Sequence, residues 1–297
     1  MRSSVLAALT AVAAALGGCG PAGPALRLST DPGVVWTYDA HRQDEWADGF
    51  GGVLETRLRL RLVAEDGVPG RAARYATTIE SLAVDSPPRF GVHLDTTTPG
   101  PEPRDALDVE TLARGLLGRR GEVTISAGGV VSPVEPDREL RERLTAWRQG
   151  RDKQATVPVV TLLDELLDGP RVASRWLQAA GLLLPPDAFP AAGEPWTRTV
   201  PPATTPAGRL ACELTVRHEP AGADRVTLRA EGAFHLAEPQ DGAAMRFVSG
   251  SLRAEAELDT RRGVFTRYHE VTEFALENTE TGEPSTARWT RTLTLVE

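Results

Sequence analysis

Alternation of apolar and charged residues is the clearest pattern along the chain. If the stretch Arg57-Leu58-Arg59-Leu60-Arg61-Leu62 is extended, it places three leucines on one face and three arginines on the other. The stretch from Leu252 to Leu258 alternates in the same way. One buried and one solvated face is typical of an antiparallel sheet, so both stretches are predicted as strands of such a sheet.

Turn residues divide the other apolar-rich stretches into further strands. Gly263 follows two arginines and predicts a hairpin over residues 245–276. Strands are predicted on both sides of the centre of the chain, over residues 73–82, 90–95, 122–134, 209–217, 224–236, 245–259, 264–276 and 288–296. The pattern therefore indicates two β-rich halves, 33–134 and 184–297.

The middle of the chain, residues 135–183, changes to a helical period. Three helices are predicted there, over residues 136–149, 159–167 and 170–181, each bounded by proline or glycine at an end. A shorter helix is predicted over residues 109–117, where Asp108 is a suitable N-cap. We therefore expect an α+β fold, mostly antiparallel β, with a central helical insertion between the two β halves.

A weak internal similarity bears on how the halves are arranged. Gly33-Val34-Val35-Trp36-Thr37 and Gly193-Glu194-Pro195-Trp196-Thr197 share their Gly, Trp and Thr positions, and strands are predicted after each. The match is either chance or the trace of a duplication. If it is a duplication, the halves form two curved sheets or one large half-barrel, with the central helices over an open face.

The first residues form a segment of a different kind. Arg2 precedes an apolar run from Val5 to Leu16, which is too short for a permanent membrane span. The run ends in the quartet Leu16-Gly17-Gly18-Cys19, where small residues precede the cysteine. An ordinary secretory signal is one interpretation, but the quartet resembles the lipobox of bacterial lipoproteins. That resemblance implies a signal peptide over residues 1–18 and lipidation of Cys19.

The expected anchor also predicts a location. Residues 19–32 contain mainly Gly, Pro, Ala and other small residues after the cysteine, which suits a flexible tether. Gly20 occupies the position where Asp would resemble an inner-membrane retention signal. We expect a lipid-anchored protein of the cell envelope, on the outer membrane in a cell that has one.

Composition limits the partners. The formal net charge is -8, which disfavours binding to nucleic acid or an extended contact with anionic lipid. The chain has two cysteines, so lipidation of Cys19 leaves Cys212 without an intrachain partner. Its apolar strand neighbours predict that Cys212 is a small buried hydrophobic residue.

No motif for catalysis or cofactor binding stands out. The sequence has no Gly-x-Ser-x-Gly elbow, phosphate loop or dinucleotide fingerprint, and its five histidines show no metal-site spacing. The acidic stretch from Asp39 to Asp48 lacks EF-hand order and favours a solvated loop over a calcium site. We expect a non-enzymatic protein without cofactor or metal. The alternative is a hydrolase whose carboxylates meet only in the fold.

The six tryptophans are prominent because aromatic residues are otherwise few. Trp147 and Trp176 lie on the apolar stripes of neighbouring predicted helices, and Trp36 and Trp196 begin the two β halves. We expect these four to line an apolar groove between sheet and helices, the usual form of a small-molecule or lipid site.

The chain as a whole resembles a family of uncharacterised bacterial cell-envelope lipoproteins. The features that carry the resemblance are the lipobox, the tether, the start of the body at Gly33 to Tyr38, the central helices, the Leu184-Pro185-Pro186 loop and the second start at Gly193-Glu194-Pro195-Trp196. The Leu258-Asp259-x-x-x-Gly263 hairpin resembles a sheet element of that family. The family supplies no catalytic residues. Its half-barrel outline is similar to Lol-type lipoprotein carriers and mycobacterial lipid-binding lipoproteins, which bind acyl chains in the concavity, although this chain has none of their specific signatures.

The leading expectation is therefore an envelope lipoprotein that binds a hydrophobic ligand or an envelope component in a sheet-helix groove. A structural or scaffolding lipoprotein, acting through protein contacts, would instead show a filled interior and an exposed apolar patch or edge strand. A hydrolase would show a cleft with convergent polar groups.

Overall fold

The computed structural model describes residues 27–47, 52–68, 71–86, 93–98, 114–132, 170–185 and 193–296, with the single residues 138, 142, 145 and 190. These ranges contain eleven strands: β1 Val35–Trp46, β2 Gly52–Val68, β3 Ala72–Asp85, β4 His93–Asp95, β5 Arg120–Ser126, β6 Trp196–Thr205, β7 Gly208–Pro220, β8 Arg225–Pro239, β9 Met245–Asp259, β10 Val264–Asn278 and β11 Pro284–Leu295. Helix α1 covers Pro170–Gly181.

All of these strands belong to one antiparallel sheet. Its order is β4-β3-β2-β1-β11-β10-β9-β8-β7-β6, and β5 pairs with β3. The N-terminal and C-terminal runs of strands meet where β1 pairs with β11, from Tyr38 opposite Leu295 to Trp46 opposite Ala287. Two strands far apart in sequence thus lie side by side at the middle of the sheet.

The expected α+β fold, with a central helical insertion between two β halves, is wrong. The described residues are almost entirely antiparallel strand, and both halves are parts of a single sheet. The β1–β11 pair makes them continuous, because backbone hydrogen bonds between these strands leave no break for helices to fill. The protein belongs to the all-β class, with α1 packed against the sheet.

The predicted helices have different outcomes. The helix over 170–181 is present at its predicted bounds. Those over 136–149 and 159–167 lie outside the described residues, except that Arg138, Glu142 and Thr145 are helical. The helix over 109–117 is described only from residue 114, where a turn follows. No helix among the residues described has the length and apolar character needed to cross a membrane.

Most predicted strands are confirmed, and two strands are not among those predicted. The hairpin of β9 and β10 forms around Gly263, whose φ of 62° is a conformation that glycine tolerates. Strand β5 ends at Ser126, because the range predicted as 122–134 is interrupted at its turn signal Gly128-Gly129, and Val131 beyond the turn forms only an isolated bridge. Strand β1 shows no clear alternation in the sequence because polar residues lie on its inner face. Strand β6 is not among the predicted strands because it contains two prolines.

One-sided burial of the sheet is confirmed. Leu58, Leu60 and Leu62 are buried, whereas the arginines between them are exposed. Ion pairs between neighbouring strands cover the outer face; Arg59, for example, donates from Nε to Asp39 Oδ1 at 2.7 Å. Cys212 is confirmed as a buried free cysteine, and burial raises the pKa of its thiol to about 11.

The sheet is strongly curved. Seven strand-to-strand steps separate β2 from β6, which in a flat sheet would be roughly 34 Å at about 4.8 Å per step. Yet Leu58 of β2 and Val200 of β6 line the same cavity. The inner face is therefore concave, and the outer face with its ion pairs is convex.

A close approach of two glycines positions α1 on this concave sheet. The helix ends at Gly181, where a Cβ atom would collide with the backbone of Gly129 in the turn after β5. Leu183 and Leu184, directly after the helix, are fully buried. The C-terminal end of α1 is thereby fixed against β5, which places Trp176 and Ala179 in the wall of the cavity on the concave face.

The N-terminal segment closes one end of the concavity. The Ser29 amide donates to Gly263 O at 2.7 Å, and the Tyr75 hydroxyl donates to Ser29 O at 2.5 Å. Leu28 and Thr30 are buried, so residues 28–30 of the predicted tether pack on the body. The expected signal peptide and Cys19 lie outside the described residues.

Candidate functional site

A cavity lies between the concave face of the sheet and α1. Its volume is about 340 Å³. Residues of β1, β2, β6 to β11 and α1 line it, so nearly the whole width of the curved sheet contributes. This size falls near the lower limit of the range of about 300 to 1,000 Å³ that is typical of small-molecule sites.

Most of the cavity wall is apolar. The apolar side chains are Leu58, Trp176, Ala179, Leu182, Val200, Pro201, Pro202, Ala203, Leu214, Phe234, Leu252 and Trp289. Phe234, Phe274 and Trp289 form an aromatic cluster, with ring centroids 4.8 Å and 4.9 Å apart in successive pairs. These groups favour contact with hydrocarbon over contact with water.

A buried polar network interrupts this apolar wall. Glu270 of β10 is 5% exposed, and its Oε2 accepts a hydrogen bond from the Tyr268 hydroxyl at 2.5 Å. Its Oε1 accepts from Thr272 Oγ1 at 3.3 Å and from Arg291 at 3.4 Å. Residues 268, 270 and 272 share the inner face because side chains alternate along the strand, and Arg291 is directly opposite Glu270 on β11.

Arg42 adds a second guanidinium to the cavity wall. It lies opposite Arg291 in the β1–β11 pair, and its Nε donates to Asp44 Oδ1 at 2.7 Å. Asp44 is buried, but it is not part of the wall. The residues that line the cavity therefore include two guanidinium groups and one carboxylate.

Burial fixes the protonation state of the tyrosine in this network. Burial, and after it the charge of Glu270, raises the pKa of Tyr268 well above its ordinary value of 10.0. The phenol therefore keeps its proton at neutral pH and remains a hydrogen-bond donor to Glu270.

The tryptophans predicted to line a groove lie in different places. Trp176 of α1 lines the cavity. Trp36 is in the filled part of the core, where it stacks on Tyr75 with ring centroids 5.0 Å apart. Trp196 is half-buried on β6, 5.8 Å from the His218 ring, and Trp147 lies outside the described residues. The structure thus brings only Trp176 of the described three to the cavity.

Sequence reasoning missed Trp289 and the polar network as parts of the site. Trp289 is not among the four tryptophans assigned to the groove, yet it lies on the inner face of β11. One signal was present: Tyr268, Glu270 and Thr272 occupy alternate positions of a predicted strand, together with Phe274. A charged residue at an inward position of such a strand is typical of a site with a polar function.

The convex surface gives a weaker indication of a binding site than this cavity does. The convex face has a shallow depression of about 570 Å³, where part of the charge is engaged in ion pairs; Arg229, for example, pairs with both Glu219 and Glu255. Within the ranges that the structure describes, no three His, Cys, Asp or Glu residues are grouped so that they could hold a metal ion.

Comparisons with known proteins give structural likenesses only. No family model matches the chain, and no curated protein matches it. A structure described as lipid–protein interactions in lipovitellin aligns with 90% of this chain at a TM-score of 0.49 and 8% sequence identity. The chain spans about a quarter of the lipovitellin chain, since 25% of that chain is covered.

A second solved structure is a beta-barrel-like protein of a domain of unknown function from Brucella abortus. It aligns over 90% of this chain and 100% of its own, at a TM-score of 0.18 and 8% sequence identity. Both likenesses are too low to support an inference of function. The cavity itself is the stronger indication of what the protein does.

Proposed function

We propose that this chain is a non-enzymatic lipoprotein of the cell envelope, anchored through Cys19, that binds a hydrophobic ligand between its curved sheet and α1. The observation that carries the proposal is the cavity of about 340 Å³ with its mainly apolar wall. Protein interiors are close-packed, and an unfilled apolar space costs stability. A ligand with hydrocarbon groups would restore the missing contacts.

The distribution of packing along the strands supports a site of this kind. At one end of the concave face, large side chains such as Trp36, Tyr38 and Leu62 are fully packed. Further along the same strands, Arg42 and Thr56 occur where large apolar residues would have filled the space. Among the described residues of these strands, the opening therefore lies in the zone of Arg42 and Thr56, next to the well-filled zone of Trp36, Tyr38 and Leu62.

This arrangement favours ligand binding over a purely scaffolding role, for which a filled interior is expected. It also favours binding over hydrolysis. Both oxygens of the Glu270 carboxylate accept hydrogen bonds from neighbouring side chains, so this group is held in place as a partner of Arg291.

The test is to fill the cavity and measure what the protein retains. Residues 20–297, with the expected lipidation site removed, would be purified and extracted with organic solvent, and the extract analysed by mass spectrometry. Ala179, half-buried on α1 and part of the cavity wall, would be replaced in Ala179→Trp. We expect a co-purifying hydrophobic compound with the wild-type protein and its loss with this variant.

The matched control is Ala211→Trp, because Ala211 lies on β7 with its side chain on the opposite face of the sheet from Leu210 and Cys212. Circular dichroism would establish that both variants and the shortened chain are folded. A wild-type protein free of any hydrophobic compound, which also fails to bind hydrocarbon chains added to it, would contradict the proposal.

A further inference from the structure

The cavity combines a hydrocarbon-like wall with a charged network, and the two together restrict the ligand. Burying an ion pair costs desolvation energy that a well-packed apolar pair would avoid. Glu270 and Arg291 nevertheless meet on the inner face of the central strands. A site for a purely hydrocarbon ligand gains nothing from these groups.

The geometry around Arg291 indicates where a ligand's polar group would lie. Its side chain is 27% exposed, and among the residues described here both its ion pair and its hydrogen bond are with Glu270 at 3.4 Å. A guanidinium has five N–H donors in a planar fork, and a single long contact uses few of them. Glu270, held by Tyr268 and Thr272, fixes the position of this fork from one side.

The donors and acceptors of the cavity wall decide the sign of that polar group. Arg42 is directly opposite Arg291 on the neighbouring strand, but it is ion-paired with the buried Asp44 at 2.7 Å, so the donors that decide this sign are those of Arg291. Glu270 supplies the one carboxylate of the wall, and both of its oxygens already accept hydrogen bonds. Guanidinium donors beside an occupied carboxylate suit an anion with two or more oxygens, such as a carboxylate or a phosphate.

We propose that the ligand is a single-chain amphiphile with an acidic headgroup, a carboxylate or a phosphate monoester, and that Arg291 binds this headgroup while the chain lies along Leu252, Phe234 and Trp176. The cavity volume, near the lower limit for small-molecule sites, suits one chain. This inference rests on the proposed function, because it names the ligand class of the same cavity.

The experiment compares ligands that differ only in the headgroup. The full-length protein, held in an amphipathic polymer, would be titrated with a photoreactive hexadecanol analogue, and cross-linking to cavity peptides would be measured by mass spectrometry. Hexadecanoic acid, hexadecyl phosphate, hexadecanol, hexadecyltrimethylammonium and inorganic phosphate would be the competitors. We expect the two acidic chains to compete roughly tenfold or more better than hexadecanol, as a charged hydrogen bond predicts.

Variants assign this preference to one residue. Arg291→Met should abolish the preference, so that the two acidic chains compete no better than hexadecanol. Cross-linking of the hexadecanol analogue to the cavity peptides of this variant shows whether its cavity is still folded. Arg291→Lys should restore part of the preference. Arg288→Met is the matched control, because Arg288 is on the same strand with its side chain on the outer face, near Glu273; this variant should behave as wild type.

The outcomes separate the two proposals. If hexadecanol is bound but headgroup charge has no effect, or the preference survives in Arg291→Met, the inference is wrong and the proposed function stands. If no chain is bound at all, both are wrong. Displacement of the chain by inorganic phosphate would identify a free-anion site and overturn the assignment to an amphiphile.

Discussion

At the scale of single residues, charge on the two faces of the sheet has different consequences. On the convex face the ion pairs are exposed and each contributes little, since water screens them. On the concave face Glu270 is almost without solvent, and it is held by three side chains. Replacing a residue of the inner network should therefore affect ligand binding, whereas replacing one on the outer face should affect the dependence of stability on pH.

Glu55 on the outer face of β2 provides a test of that dependence. A hydrogen bond from Arg57, with smaller effects from the charges of Arg57 and His41, holds the pKa of Glu55 below its ordinary value of 4.5. Because the folded pKa is the lower one, this carboxylate stabilises the fold above pH 4.5, and the contribution disappears as pH falls through the folded pKa.

We expect Glu55→Gln to lower the free energy of unfolding at neutral pH by up to about 1 kcal/mol, as for a surface ion pair. The difference from wild type should vanish in strong acid. Urea unfolding at a series of pH values measures this, with Glu280→Gln in the turn after β10 as an exposed control. A difference that grows as the pH is lowered would contradict the assigned direction of the shift.

At the scale of elements, the position of α1 depends on a contact that only glycine permits. Gly181 ends the helix directly against Gly129, whose φ of 76° is itself in the left-handed region. Trp176 and Ala179 of α1, and Leu182 directly after it, belong to the cavity wall. A change at the Gly181–Gly129 contact should therefore reach the cavity through a shift of the helix.

Gly181→Ala places a methyl group against the backbone of Gly129, which cannot move aside as a flexible side chain could. We expect a loss of about 1 to 3 kcal/mol in stability, as is typical of overpacking, and weaker binding of hydrocarbon probes. Thermal unfolding and probe titration measure the two effects. Gln178→Ala, on the same helix, is the control for stability only, because Gln178 also lines the cavity. Equal losses of stability in the two variants would show that the glycine contact does not position α1.

At the scale of the whole molecule, the β1–β11 pair makes one cooperative unit of the two runs of strands. The sheet has no other described connection between its N-terminal and C-terminal parts of comparable extent, since β2 to β5 lie on one side of this pair and β6 to β10 on the other. Disruption of β11 should therefore destabilise both parts together.

Thr290→Pro tests this cooperativity. Thr290 lies opposite Gln43 on β1 and Val271 on β10, so proline removes an amide from a central strand, a position where it is hardly tolerated. We expect both halves to unfold at a much lower urea concentration than in wild type, and in a single transition. Tryptophan fluorescence of chains that keep only Trp36 or only Trp196 would report the same midpoint. Thr290→Ala, which keeps the amide, is the control. Loss of structure at one reporter alone would show that the halves fold independently.

The local residue pattern is enough to predict most strands of the chain and which face of each is buried. Alternation with a period of two residues is a local property, so the pattern of Leu58 to Leu62 and the β9–β10 hairpin could be predicted from neighbouring residues alone. The helix that ends at Gly181 depends on local signals in the same way. The prediction of an apolar groove between sheet and helix came from pattern as well, although of the described candidates only Trp176 lines it.

Long-range strand pairing establishes that the strands form one curved sheet and which residues meet in its concavity. Backbone hydrogen bonds between strands are nearly independent of side-chain identity, so nothing in β1 or β11 alone specifies that they pair across almost the whole chain. Arg42 lies next to Arg291 and Glu270 because of that pairing, since each of the three residues comes from a different strand. Local pattern fixes the face on which a side chain lies, and long-range strand order fixes its neighbours.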